Sequence, residues 1–138
     1  DICDSAICLD LFAGTGALGL EAISRGAKYI DFVDVDCSIV KSNLNLIKDF
    51  SAYQVHKIKA EKFLKDTTKK YDLIFIDPPW NIPEYYEKVL ALIIENNILA
   101  NNGYVILEQS DILLNSDAFE MFKERKFGNT IIKILEQL

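Results

Sequence analysis

The sequence predicts an α/β fold in which a mostly parallel sheet of seven strands carries helices on both faces. Short apolar segments rich in β-branched residues alternate with longer segments of helical period. This alternation is typical of parallel strands joined by right-handed helical crossovers. The last two strand-like segments are separated by Gly128 and Asn129, which favours an antiparallel hairpin and makes the sheet mixed.

Strands and helices follow one another along the chain with few interruptions. The predicted strands are residues 7–12, 29–35, 53–58, 73–76, 104–107, 119–126 and 130–135. The predicted helices are residues 18–25, 37–50, 61–70 and 83–96. Gly26 closes the first helix, and Pro83 suits the first turn of the last one. The fourth strand is apolar throughout, which indicates burial on both faces of a parallel sheet.

The composition indicates one folded domain, because half of the 138 residues are apolar and 26% are charged. Disorder, collagen and coiled coil each need a compositional bias that is absent. The formal net charge of −6 does not favour nucleic-acid binding. No apolar run reaches the roughly 18 residues of a membrane span, so we expect no membrane partner.

The cysteines and the first residues suggest a cellular context. Cys3, Cys8 and Cys37 form no CxxC pair, so a disulfide framework or a zinc site is not expected. Reduced thiols fit a cytoplasmic protein. The chain starts with Asp1 and reaches strand-like sequence almost at once, so we expect that residues 1–138 are a single domain from which an N-terminal piece is missing.

A glycine-rich loop joins the first predicted strand to the first helix, where residues 10–21 read DLFAGTGALGLE. Gly14 and Gly16 allow a tight turn and close approach of a ligand, and Gly19 allows the helix to pack closely on the sheet. Asp34 follows at the spacing of a carboxylate that binds the two hydroxyls of a ribose. The pattern indicates an adenosine-containing cofactor and leaves NAD and S-adenosylmethionine open, while a tight turn without a ligand is the structural alternative.

A second motif, Asp77–Pro78–Pro79–Trp80, directly follows the fourth predicted strand. The carboxyl ends of strands form the ligand crevice of such a sheet, so Asp77 is expected beside the cofactor. The two prolines lack N–H donors, which leaves stiff carbonyls free to face a ligand, and Trp80 offers a stacking surface. These groups suit an exocyclic amine on a nucleobase and favour methyl transfer; a rigid turn with a core tryptophan is the alternative.

These motifs resemble those of the bacterial 16S rRNA guanine-N2 methyltransferases (RsmD-like), a family of class I S-adenosylmethionine-dependent enzymes. The similarity covers nearly the whole chain and is carried by residues 10–22, 24–27, 33–36, 43–46, 71–79, 108 and 126–130. It implies a Rossmann-like class I methyltransferase fold and S-adenosylmethionine as cofactor. It also implies a monomeric, cytoplasmic enzyme whose partner is 16S rRNA or the assembled or partly assembled small ribosomal subunit.

The resemblance assigns site residues. The expected catalytic residues are Asp77, Pro78, Pro79 and Trp80. The expected cofactor-binding residues are Asp10, Phe12, Gly14, Gly16, Asp34, Ala60 and Glu61. Asp77 and the Pro78 carbonyl would accept the hydrogens of the guanine amine while Trp80 stacks on the base. No metal site is expected, His56 is expected to be a surface or packing residue, and Glu108 a solvated one.

Three features depart from the family pattern. The basic segment that usually precedes the first strand is missing, and Trp80 stands where Tyr or Phe is usual. Lys59 stands where an acidic residue contacts the adenine amine, so Glu61 or the backbone of Ala60 would replace that contact. An adenine-N6 methyltransferase acting on DNA or RNA is the alternative enzyme. The glycine loop also leaves an NAD-dependent oxidoreductase open, and the fold alone leaves a non-catalytic domain open.

Overall fold

A computed structural model describes residues 1–79, 82–108 and 117–138. The strands in this part of the chain are β1 (Ile7–Leu11), β2 (Tyr29–Asp34), β3 (Tyr53–Lys57), β4 (Tyr71–Ile76), β5 (Leu99–Glu108), β6 (Phe119–Phe127) and β7 (Thr130–Gln137). The helices are α1 (Ala17–Ser24), α2 (Ser38–Leu44), α3 (Ala60–Asp66) and α4 (Pro83–Glu95). Trp80, one of the predicted catalytic residues, lies outside the described residues.

The strands form one mixed sheet in the order β3-β2-β1-β4-β5-β7-β6. Strands β1 to β5 are parallel, whereas β7 is antiparallel to both β5 and β6. The predicted seven-stranded sheet with a C-terminal hairpin is therefore confirmed. Because the chain returns from β3 to the other side of β1, the sheet has a topological switch point between β1 and β4, where open α/β sheets bind ligands.

Helices cover both faces of the sheet, as predicted. Along β4, Ile74 and Ile76 belong to the core that also contains buried residues of α3 and α4. Leu73 and Phe75 belong to the opposite core, which contains buried residues of α1 and α2. This alternation follows from the two-residue period of a strand, and it explains why residues 73–76 of β4 are all apolar. None of the described helices combines the length and the apolar character required to cross a membrane.

Several predicted boundaries were wrong. The second helix ends at Leu44 rather than residue 50, because the N–H groups of Leu46 and Ile47 bond to carbonyls three residues back and the chain tightens into turns. The third helix ends at Asp66 rather than residue 70, since Thr67 takes an extended backbone. Strands β4 and β5 begin earlier than predicted, because Tyr71 pairs with Leu99 ahead of an irregularity in the register.

A polar network surrounds the buried Asp31 of β2, with partners on β3 and at the start of β4. Asp31 accepts hydrogen bonds from the hydroxyls of Tyr71 (2.6 Å) and Tyr29 (2.7 Å). His56 Nε2 and Lys69 Nζ lie 2.8 and 3.2 Å from its carboxylate oxygens. Burial acts to raise the pKa of Asp31, but these partners outweigh it and lower the pKa. His56 is therefore a packing residue tied to a buried carboxylate.

Candidate active site

The candidate site is a cleft of about 740 Å³ at the carboxyl edge of the parallel strands. That volume is in the range of small-molecule sites. The ends of β1 to β4 and the first turns of α3 and α4 contribute its walls. The lining residues are Phe12, Gly14, Val33, Asp34, Val35, Ile58, Lys59, Ala60, Glu61, Asp77, Pro78, Pro79 and Tyr85. Eight of the predicted site residues are thus in one cleft: Phe12, Gly14, Asp34, Ala60, Glu61, Asp77, Pro78 and Pro79.

The glycine loop reaches the cleft through Gly14. Gly14 and Gly16 have φ values of 57° and 81°, which residues with a Cβ atom rarely adopt. A Cβ on Gly16 would lie 2.6 Å from Val40 Cγ2, so this position also needs the space. Asn43 Nδ2 donates to the carbonyl of Thr15 (2.8 Å) and ties the loop to α2. Gly16 itself is buried and does not line the cleft.

Asp34 holds the loop and still faces the cleft. Its Oδ2 accepts from the N–H of Gly14 (2.7 Å), and its Oδ1 accepts from the N–H of Val35 (2.7 Å). Oδ1 also accepts a longer hydrogen bond from the N–H of Asp36 (3.4 Å). Each carboxylate oxygen can accept about two hydrogen bonds, so Oδ2 keeps capacity for another donor. A ribose hydroxyl can take that position on Oδ2, and a second hydroxyl would have to compete with the long Asp36 hydrogen bond on Oδ1.

Asp10 lies behind the loop rather than in the cleft. It is buried, and its Oδ2 accepts from the N–H of Gly19 in α1 (3.0 Å). Burial raises the pKa of Asp10 well above its usual range, although the Gly19 hydrogen bond opposes this. The negative charges of Asp77, Asp34 and Glu108 raise it further. Asp10 therefore anchors the helix that follows the loop and belongs to a group of acidic side chains at this edge of the sheet.

Asp77 enters the cleft directly after β4. Burial, then a hydrogen bond with the Glu108 side chain and the charge of that side chain, raise the pKa of Asp77 to about 7. Pro78 is buried and Pro79 is exposed at the wall of the same cleft. Glu108, expected from the sequence to be solvated, is half-buried at the end of β5 and partners Asp77.

The opposite wall carries Glu61 and Tyr85. The Tyr85 hydroxyl donates to Glu61 Oε1 (2.8 Å), and Lys88 Nζ lies 3.9 Å from Glu61 Oε2. Burial acts to raise the pKa of Glu61, but its hydrogen bonds and nearby lysines lower it, so the side chain is ionised at neutral pH. The ring of Tyr85 lies 5.7 Å from that of Phe12, whose φ of 60° is unfavourable for a non-glycine residue.

Sequence reasoning missed Tyr85 and the pairing of Glu108 with Asp77. Tyr85 sits two residues after Pro83, in the first turn of the helix that follows the diproline motif, and that position was its only sequence signal. The described residues contain no cluster of side chains suited to hold a metal ion. What the described cleft offers is carboxylates, backbone groups and apolar walls, which bind, orient and exchange protons.

Known proteins resemble this chain over most of its length. A family model described as conserved hypothetical protein 95 matches residues 2–136. Ribosomal RNA small subunit methyltransferase D of Haemophilus influenzae is 35% identical over 130 residues, covering 88% of this chain and 66% of that protein. The protein of that name from Buchnera aphidicola is 37% identical over 108 residues, covering 77% and 55%. The chain thus spans between about half and two thirds of these relatives.

Solved structures share the architecture. A protein from Haemophilus influenzae, provisionally named a methylase, has 32% sequence identity and a TM-score of 0.77, and the match covers 99% of this chain and 89% of that one. Together with the strand order, this likeness confirms the predicted Rossmann-like class I fold with its C-terminal hairpin.

Proposed function

The chain belongs to the conserved hypothetical protein 95 family, and we propose that it is an S-adenosylmethionine-dependent rRNA methyltransferase. This agrees with the resemblance of its motifs to those of the RsmD-like enzymes. The methyl group goes to the exocyclic N2 amine of a guanine in 16S rRNA. One observation carries this proposal: Gly14 of the glycine loop and Asp77–Pro78–Pro79 line the same cleft. A nucleotide cofactor and an amine substrate therefore have their recognition groups on one site.

The charge of the cleft supports S-adenosylmethionine over NAD. Asp34, Asp77 and Glu61 contribute three carboxylates to its walls, against the single ammonium group of Lys59. Negative side chains favour a ligand with sulfonium and ammonium charges and disfavour the pyrophosphate of NAD. S-adenosylmethionine supplies an activated methyl group when bound, so the protein contributes mainly placement.

The predicted cofactor residues have separate tasks in this proposal. Asp34 accepts from the ribose hydroxyls, and Gly14 presents its backbone without a Cβ in the way. Lys59 occupies the position where the family usually has an acidic residue that contacts the adenine amine. The ionised Glu61 makes this contact instead, by accepting a hydrogen bond from the amine. Asp10 and Gly16 act indirectly, by fixing the loop and α1. Phe12 packs with Tyr85 and provides an apolar wall.

The diproline motif positions the amine. Asp77 and the Pro78 carbonyl accept the two N2 hydrogens, which directs the nitrogen lone pair at the methyl group. Positioning of this kind contributes up to ~7–11 kcal/mol to the lowering of the barrier. The Asp77 carboxylate also stabilises positive charge that develops on nitrogen. Pro79 keeps the backbone stiff, Trp80 stacks on the base, and the guanine must be unstacked to enter.

The partner is 16S rRNA or the small ribosomal subunit, assembled or partly assembled. Contacts between basic side chains and phosphates normally supply much of the affinity for RNA. A chain with a net charge of −6 is poorly suited to supply all of these contacts itself. Basic surface on a ribonucleoprotein particle, or on a segment beyond these residues, would supply the rest. We further propose a single domain over residues 1–138, a monomer, and a location in the cytoplasm, where the substrate is.

The test is chemical analysis of rRNA. Cells lacking the gene should lose N2-methylguanosine from one position of 16S rRNA, as measured by mass spectrometry of nucleosides and fragments. The wild-type gene should restore it, and Asp77→Ala should not, although that variant still binds S-adenosylhomocysteine. Loss of N6-methyladenosine instead would favour the alternative enzyme, and thermal stabilisation by NADH but not S-adenosylhomocysteine would favour the oxidoreductase.

A further inference from the structure

Two carboxylates lie side by side at the carboxyl edge of the sheet. Strands β4 and β5 are parallel, and Ile76 stands opposite Leu107 in their register. The residue after each of these is acidic, so Asp77 and Glu108 are neighbours across the two strand ends, close enough for a hydrogen bond with Glu108 to help raise the pKa of Asp77. Glu108 is held from its other side by β7, where its register partner is the apolar Ile132.

The surroundings of this pair are mostly acidic. The charges of Asp77, of Glu108 and of Asp34 on β2 all help to raise the pKa of the buried Asp10 on β1. On the cleft side, the titratable residues of the described chain are Lys59, Glu61 and Tyr85. On β7, Lys133 stands opposite Leu107, one position before Glu108.

A hydrogen bond between two carboxyl groups requires a proton on one of them. Close carboxylates in a partly buried corner cannot both ionise easily, so the pair retains a proton at a pH where an isolated aspartate has lost it. The pKa of Asp77, raised to about 7, agrees with this geometry. Asp77 is therefore the carboxyl group of this pair that we expect to gain or lose a proton near neutral pH.

We propose that Glu108 is a positioning residue of the methyl-transfer site: with no proton on either carboxyl group, Asp77 and Glu108 together accept the proton released by the substrate amine and then share it. This inference rests on the proposed function. The N2 lone pair forms the new N–C bond, the C–S bond breaks with its electrons left on sulfur, and the N2 proton passes to a carboxylate oxygen of the pair. The reaction yields neutral methylated amine, a thioether and one protonated carboxyl pair.

Glu108 gives the site a proton acceptor whose pKa is closer to the working pH. An ordinary aspartate is too weak a base to take a proton efficiently near pH 7, whereas a base whose pKa lies near the working pH is well matched. Glu108 raises the basicity of Asp77 without touching the substrate. Its effect is therefore on the pH dependence of turnover.

The main experiment compares pH–rate profiles of the complete protein, with small ribosomal subunits from cells lacking the gene as substrate. In the wild type, kcat should rise with a midpoint near pH 7. Glu108→Gln keeps a hydrogen-bond donor but removes the charge, so the midpoint should fall by about one pH unit and the plateau should be lower. Glu120→Gln, an exposed change on β6, should leave the profile unchanged. Coincident wild-type and Glu108→Gln profiles would overturn the proposal.

A second measurement does not depend on turnover. Carboxyl ¹³C NMR of the wild-type protein, with the Asp77 signal assigned by its loss in Asp77→Asn, should show that this carboxyl group titrates near pH 7. Titration of every carboxyl below pH 5 would refute the shared proton even if rRNA methylation is observed. If the wild type methylates no rRNA, the proposed function fails, and this inference with it.

Discussion

Asp77 should destabilise the fold at neutral and alkaline pH, and Asp77→Asn should therefore increase the free energy of unfolding. The pKa of Asp77 rises from its ordinary value of 3.8 to about 7 in the folded protein. Because the folded-state pKa is the higher one, the unfolded chain ionises first, and stability falls as the pH rises from about 4 to about 7. Below that window both states are protonated and the substitution should have little effect.

The magnitude follows from the same shift. A rise from 3.8 to about 7 corresponds to about 4 kcal/mol at roughly 1.4 kcal/mol per pH unit. Asp77 keeps some contact with solvent and shares the repulsion with Glu108, so we expect about 2 kcal/mol at pH 8. The amide introduced by Asp77→Asn would also donate a hydrogen bond to Glu108.

Urea unfolding of the wild type and Asp77→Asn at pH 5 and pH 8 is the assay. The variant should gain about 2 kcal/mol at pH 8, less at pH 5, with an unchanged denaturant slope. Equal stability at both pH values, or a loss at pH 8, would refute the argument that burial and the neighbouring Glu108 raise the pKa of Asp77 in the folded protein. A gain in stability together with lost methyl transfer would be the usual trade-off of a functional site.

Three other substitutions test other parts of the structure. Asp34→Ala should weaken binding of S-adenosylhomocysteine by roughly tenfold or more, since charged hydrogen bonds are lost; an unchanged Kd by calorimetry would exclude the ribose contact. Asp31→Asn should destabilise the fold by about 3 kcal/mol at pH 7 in urea unfolding. Its effect should shrink as the pH falls below about 4, because the lowered pKa of Asp31 stabilises the fold only while the carboxyl is ionised; a neutral effect at pH 7 would contradict the buried network. Gly19→Ala should lower the free energy of unfolding by about 1–3 kcal/mol, because its Cβ would lie 2.4 Å from Phe32 Cε1; a wild-type Tm would show that the helix has room to move.

The architecture was predictable because periodicity reports burial. An apolar run such as β4 must be covered on both faces, and the alternation of such runs with helical segments determines the crossovers. Helix ends were less predictable. The segment after Leu44 continues in polar and apolar residues much as the helix does, and only the sheet beneath it determines where packing stops. Thr67 likewise ends α3 as the chain turns toward the buried Asp31.

The parts of the cleft that could be predicted are those where the local structure or the chemistry requires a particular type of residue. Glycine at positive φ and a carboxylate twenty residues later specify a turn with a neighbouring acceptor, and the Gly14–Asp34 hydrogen bond realises that spacing. No comparable sequence pattern predicts the position of Tyr85 in the cleft. Its place opposite Phe12 depends on the crossing of α4 over the sheet, which no local pattern encodes.

Glu108 shows why net charge was a poor guide. Taken over the whole chain, an acidic balance argues against a nucleic-acid enzyme. The parallel register of β4 and β5, however, brings Glu108 to Asp77, and Asp10 and Asp34 arrive at the same edge from β1 and β2. Part of the negative charge is therefore local, at the cleft proposed to hold a cationic cofactor and an amine. Under the proposed function, the negative charge of the cleft suits a cationic cofactor, whereas affinity for RNA would depend on surfaces elsewhere on the protein or on a ribonucleoprotein substrate.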